Sequence, residues 1–158
     1  MSSAVLNSPS VERVRDALAR SGIESSIVEL PGAARTAKAA ADYLGCEVGQ
    51  IANSLVFRAG ADPILVMSSG AKRVDVARLA ATLGGPVEKA DADFVRRHTG
   101  FAIGGVPPVG HGLKRAYVEK SLAAHRELWA AAGHPHTVFR LTYDELVRIT
   151  GGAEAELS

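Results

Sequence analysis

Between Ile51 and Gly70 the chain reads IANSLVFRAGADPILVMSSG. Two apolar runs, IANSLVFRAG and PILVMSSG, flank the turn-forming Gly60-Ala61-Asp62-Pro63, and the pattern predicts two strands joined as a hairpin. A hairpin joins antiparallel neighbours, whereas parallel neighbours need a crossover of a dozen or more residues. Strands over 51–58 and 63–68 without a crossover helix therefore argue against a doubly wound parallel sheet.

Helices are expected on both sides of this hairpin. Ser8-Pro9-Ser10 supplies a capping hydroxyl and a first-turn proline to VERVRDALARSG, with Val11, Val14 and Leu18 at helical spacing. IESSIVEL, ending at Pro31, alternates as a strand, and the alanine-rich RTAKAAADYLG, closed by Gly45, reads as a helix. VDVARLAATLGG is a further helix, PVEKA a short strand, and Asp91 caps a short helix in DADFVRRHTG. Beyond it, FAIGGVPPVGHG begins as a strand and becomes a loop. LKRAYVEKSL starts as a strand, AAHRELWAAAG is expected to be helical up to Gly133, and TVFRLT is a strand. Thr142 and Glu145 form a capping box for a last helix, YDELVRIT, followed by a frayed AEAELS tail. This mixture, with no linker and no repeat, predicts one α/β (α+β mixed) domain over residues 1–158, built on a mixed sheet.

The bulk composition agrees and narrows the function. With 158 residues, 47% hydrophobic and 22% charged, the chain can bury a proper core. A net charge of +1 argues against coating nucleic acid by electrostatics alone. No apolar run approaches the roughly 18 residues of a membrane span. MSSAVLNSPSVERV lacks the features of a signal peptide. The single cysteine, Cys46, permits no internal disulfide, fits a reducing cytoplasm, and reads as a small core residue at a helix end.

Most named chemistries lack their residues. There is no HExxH, no paired CxxC, no GxSxG elbow and no phosphate-binding GxxxxGK[ST]. His134-Pro135-His136 is the one close histidine pair, without a further ligand nearby in sequence. No metal and no cofactor are expected. What stands out is Phe101 to Gly112, FAIGGVPPVGHG. Adjacent glycines let another molecule approach backbone N–H groups, and successive free N–H groups can cradle an oxyanion or polarised carbonyl. Pro107 and Pro108 stiffen such a loop without adding donors. A tight structural turn between strands explains the same composition.

Taken in order, RTAKAAADYLGCEVGQIANSLVFR, PILVMSSGAKRVDVARLAATLGG and FAIGGVPPVGH resemble the YbaK family. These are free-standing relatives of the editing domain of bacterial prolyl-tRNA synthetase, and the resemblance spans roughly residues 30 to 150. It implies a compact domain with a barrel-like mixed sheet flanked by helices. It also implies hydrolysis of the ester that joins a wrong, small amino acid to the 3′ end of a tRNA, without a metal. The acceptor end of aminoacyl-tRNA would be the partner, with an aminoacyl-tRNA synthetase in a presenting role.

On this resemblance Gly104, Gly105 and Val106 supply amides to the substrate carbonyl, with Pro107 and Pro108 behind them. Gly110 and His111 complete the loop, His111 either donating a hydrogen bond near the site or packing at the loop end. Ser54, Ser69 and Gly70 fall among the expected substrate contacts, although Ser69-Gly70 at a strand end also reads as a turn. Many relatives carry a lysine in a K-S-L-V-F pattern, and here Asn53 takes its place, offering a donor and an acceptor but no charge. Lys38, Lys72 and Arg73 are the candidates for the missing charge and for tRNA contact. Three functions follow: a trans-acting aminoacyl-tRNA deacylase; a relative that binds aminoacyl-tRNA or an amino-acid-like ligand without hydrolysis; and a hydrolase of another small acyl ester or amide.

Overall fold

The computed structural model describes residues 4–32 and 34–158. Met1–Ser3, the start of the segment read for a signal peptide, and Ala33 lie outside the described residues. Among the described residues five α-helices and eight strands follow in the order α1 (Pro9–Arg20), β1 (Val28–Glu29), α2 (Ala37–Leu44), β2 (Ile51–Ala59), β3 (Asp62–Ser69), α3 (Val76–Leu83), β4 (Glu88–Lys89), α4 (Ala92–Thr99), β5 (Ala116–Glu119), β6 (Leu128–Ala131), β7 (Thr137–Leu141), α5 (Tyr143–Thr150) and β8 (Ala153–Ala155). All strands belong to one mixed sheet, ordered β1-β7-β6-β2-β3-β5-β8, with β4 also on β2. The chain is thus a mixed α/β domain flanked by helices, and its strand order is an open path from β1 to β8.

The hairpin is the centre of this sheet. β2 and β3 pair antiparallel over eight registers, from Ala52 with Ser69 to Ala59 with Asp62. Ile64 to Ser69 are all buried, which is why PILVMSS is apolar on both faces. The helices are set by their caps as the sequence predicts. The Asp91 carboxylate accepts from the Phe94 N–H at 2.8 Å. Thr142 and Glu145 exchange both capping-box bonds. Gly45, Gly84, Gly100 and Gly151 each end a helix in the left-handed conformation that a Cβ would penalise. Ser8 is an exception: its hydroxyl caps nothing in the first turn and lies 3.4 Å from that of Ser10.

Four local expectations are overturned. AAHRELWAAAG is not a helix: a 3-10 turn (Lys120–Ala124) leads into β6. Leu128 and Ala130 are buried on one side of β6 while Trp129 and Ala131 are half-buried on the other. Alanine's helix preference, under about 1 kcal/mol per residue, yields to a slot between β2 and β7. The tail is not frayed: β8 pairs parallel with β5, and Leu157 is 0% exposed. IESSIVEL contributes only two strand residues, because the Ser25 hydroxyl bonds both the N–H and the carbonyl of Arg140 and takes over the ladder there. Phe101 does not open a strand. It is buried, and the chain turns at once after it.

One detail of the sheet positions the site. Along one edge of β2, only Ile51 and Ala52 pair with β6, and only Phe57 and Arg58 pair with β4. The Val56 carbonyl still accepts from the Ala90 N–H at 3.0 Å, but residues 53–55 have no strand partner on that edge, so the sheet splits there.

Candidate active site

The split holds a cavity of about 490 Å³. Its floor is β2 from Ile51 to Val56, and Thr36, Ala37 and Ala40 of the α2 end form one wall. Ile103, Gly104 and Val106 form another wall, and Pro135–Val138 with Trp129 and Ala131 close it. The lining is mainly apolar, with a few convergent polar groups, as ligand cavities are.

Asn53 stands opposite Ser68 on β3, and its side-chain amide makes no hydrogen bond to a described residue. Ser54 donates only to the Met67 thioether, at 3.3 Å, a weak acceptor. The glycine loop is built as a turn, with the Gly105 N–H donating to the Ala102 carbonyl at 2.9 Å and Gly104 at φ +85°, a conformation glycine adopts freely. The two glycines therefore do different things. Gly104 makes the turn possible. Gly105 lets the loop lie on the His134 backbone, since a Cβ there would stand 2.9 Å from its Cα. The amide of Gly105 is spent inside the turn. Those of Gly104 and Val106 have no partner among the described residues, although Val106 is only 1% exposed. A buried, unpaired N–H such as that of Val106 is rare and costly, whereas Gly104 is exposed and its amide is open to solvent.

The surface under Gly105 is rigid. The Thr137 hydroxyl donates to the His134 carbonyl and accepts from its N–H, while the Thr137 N–H adds a second bond to that carbonyl. The His136 N–H donates to His134 Nδ1 at 3.1 Å, and burial followed by repulsion from His136 pushes the His134 pKa down. His136 lines the cavity, and its Nδ1 is buried without a partner.

Of the residues singled out in the sequence, Asn53, Ser54, Gly104 and Val106 meet at the cavity, with Gly105, Pro107 and Pro108 buried in the loop behind it. The rest lie off it. The Ser69 hydroxyl accepts from Ala71, and Gly70 is closed in by the Val48 carbonyl, so both serve the turn after β3. Gly110 packs on Ala17, and His111 is buried at the loop end with Nδ1 accepting from the Leu113 N–H at 2.9 Å. Burial holds the His111 pKa below its usual value. Lys38 is exposed and paired with Asp42, Lys72 borders a separate cavity with Arg78 and Lys120, and Arg73 is exposed on the surface. The cations that do reach the lining are Arg35 and Lys89. Cys46 is half-buried, and burial followed by the Glu47 charge raises its thiol pKa, the opposite of nucleophile activation.

Sequence reading did not place Lys89, Arg35, His136 or Trp129 at the site, although Arg35 was visible as a basic partner of Lys38. The first sits in the two-residue β4, and the last was hidden by reading its strand as a helix. His136 was visible only as half of a histidine pair. No third histidine, cysteine or carboxylate joins that pair among the described residues.

The site is thus a gap in a mixed sheet holding a mainly apolar cavity, with the glycine loop at one wall. The chain belongs to the aminoacyl-tRNA editing domain family, whose sequence model matches residues 32–149. It is similar to a crystal structure described as a candidate trans-editing enzyme for prolyl-tRNA synthetase, with a TM-score of 0.90 and 46% identity over 96% of this chain and 98% of that one. A scaffold protein carrying computationally grafted linear epitopes gives the same TM-score at 44% identity, over 96% and 98% of the two chains. The uncharacterized protein YwhH of Bacillus subtilis (strain 168) is 29% identical over 139 residues, 87% of this chain and 88% of that protein. Family membership gives aminoacyl-tRNA as the substrate class and hydrolysis of a mischarged ester as the reaction class. Among the described residues no helix is long and apolar enough to cross a membrane.

Proposed function

We propose that the protein is a trans-acting deacylase that hydrolyses the ester of a small, mischarged amino acid on tRNA. The observation that carries this reading is the meeting, in the gap of β2, of Asn53 with the unpartnered amides of Gly104 and Val106. The ester carbonyl oxygen accepts from those two amides, which strengthen as it gains negative charge. Water, hydrogen-bonded to the neighbouring ribose hydroxyl, adds to the carbonyl carbon and gives up its proton toward the departing ribose oxygen. The ester C–O bond then breaks, the ribose oxygen leaves with a proton, and the amino acid departs as its carboxylate. Asn53 orients the water or the substrate's α-amine.

No side-chain nucleophile is required. Two of the lining hydroxyls are otherwise engaged, Thr36 accepting from the Ala39 N–H as the α2 cap and Thr137 bonding His134, and Ser54 turns to the Met67 thioether with no general base bonded to it. Arg35 and Lys89 provide the positive charge that Asn53 does not, and they meet the phosphates of the acceptor end. The apolar walls discriminate by size, which separates substrates differing by one methylene by about 1–3 kcal/mol. A synthetase in a presenting role would narrow the choice of tRNA.

A panel of tRNAs charged with alanine, serine, threonine, cysteine, proline and 2-aminobutyrate tests this directly. Rapid loss of one or two esters is the expected result, slowed roughly a hundredfold by Gly105→Ala. Asn53 motivates a second reading, a protein that binds the same substrate without turnover. No turnover of any charged tRNA with binding intact would replace the first reading by the second. Turnover confined to free esters would point to another acyl hydrolase.

A further inference from the structure

Trp129 also borders a second cavity of about 530 Å³, whose other walls are Glu24, Ser25, Ser26, Val28 and Arg140. It is the one residue common to both linings. The register explains the bridge. Trp129 is the cross-strand partner of Ile51 on β2 and of Arg140 on β7, so the three side chains form a row on one sheet face. Ile51 lines the first cavity, Arg140 the second, and the indole lies between them.

We propose that this second cavity is a nucleotide subsite. It takes the unpaired cytidine that precedes the ester-bearing terminal adenosine of aminoacyl-tRNA, and the inference rests on the deacylase reading above. With the ester in the first cavity, the polynucleotide has to continue across that cavity's rim. Unpaired nucleotides are held by stacking on aromatic or guanidinium planes and by hydrogen bonds to their open base edges. Trp129 supplies the aromatic plane.

Arg140 is paired with Glu127 at 3.5 Å, but both are exposed, and such a pair contributes little. Its guanidinium is therefore available to a phosphodiester. The Glu24 carboxylate and the Ser26 hydroxyl have no partner among the described residues, and a carboxylate accepts from the exocyclic amine of cytosine. The Ser25 hydroxyl is already committed to the Arg140 backbone and serves only as wall.

The chain contains one tryptophan, so its fluorescence reports on this boundary. Titration with 5′-phosphorylated C-C-A trinucleotide should give a saturable quench, and U-U-A a weaker one. Ser26→Glu and Arg140→Gln, both surface changes outside the first cavity, should weaken C-C-A binding roughly tenfold, the scale of one stacked and charge-paired nucleotide. The same variants should raise KM for the fastest-cleaved charged tRNA of the panel by a similar factor while leaving hydrolysis of the same amino acid on adenosine alone unchanged. A quench identical in wild type and both variants, or equal losses on the tRNA and adenosine esters, overturns the subsite. Should the wild-type protein cleave no ester at all, the deacylase reading fails, and the trinucleotide titration decides the subsite by itself.

Discussion

At the β5–β8 edge the sheet is closed by the chain's own tail, whereas along β2 it is left open. On the closed side, β8 adds to β5, Leu157 is fully buried against Phe57, Ile64 and Leu79, and its N–H donates to the buried Glu119 carboxylate at 2.9 Å. Glu119 also receives the Ser121 N–H, and the Tyr143 hydroxyl donates to Glu154 at 2.6 Å. On the open side, residues 53–55 of β2 lack a strand neighbour on one edge, and the loop above them keeps two amides unpaired. The β5–β8 edge spends its backbone and carboxylate groups on closing the sheet, with the Ser121 hydroxyl the buried group left without a partner there. The middle of the sheet, along β2, instead leaves backbone unpaired beside a cavity, the kind of place where function collects.

If this division holds, damage to one region should spare the other. The largest effect is expected from Leu157→Ala, which removes a fully buried side chain and should cost about 2–5 kcal/mol of unfolding free energy by denaturant titration. Deacylation measured well below the new melting temperature should stay at its wild-type rate. Loss of activity in the folded variant would show that the two regions are coupled.

Gly105→Ala is the reverse case. Its Cβ meets backbone that cannot swing aside, so the loop must lift from His134 and carry the Gly104 and Val106 amides with it. We expect roughly a hundredfold fall in kcat, comparable to losing one oxyanion donor, with a smaller loss of stability than Leu157→Ala. An unchanged rate would remove the loop amides from the mechanism.

Thr36→Ala sharpens the comparison at the wall of the site. It deletes the hydroxyl that caps α2 through the Ala39 N–H, and should cost about 1 kcal/mol by thermal unfolding. The smallest effect concerns pH. His111 and His134 are both held below their ordinary pKa, chiefly by burial. The unfolded chain therefore binds protons first, so stability is full above about pH 6.5 and declines as the pH falls through the unfolded value toward the folded ones. His111→Asn, which can still accept from Leu113, should shallow that decline in a series of melting temperatures from pH 8 to 5. An unaltered slope would assign the decline to other groups.

The sequence by itself determined whatever rests on local chemistry. The hairpin was legible because Gly60 to Pro63 break two apolar runs, the helix ends because Thr142, Asp91 and four terminal glycines make short-range bonds or turns. The glycine loop stood out because few folds place such residues together without a reason. Tertiary structure alone decided the rest. Whether LWAA is strand or helix depended on the slot between β2 and β7, since alanine's local preference is weaker than a pair of strand ladders. Only the three-dimensional arrangement shows that the Gly105 amide is consumed while its neighbours' are not, and that Lys89 and Arg35, rather than Lys38 and Lys72, reach the lining. Those facts depend on contacts between segments far apart in the chain, such as 105 with 134 and 52 with 130, and no short-range pattern encodes such distances.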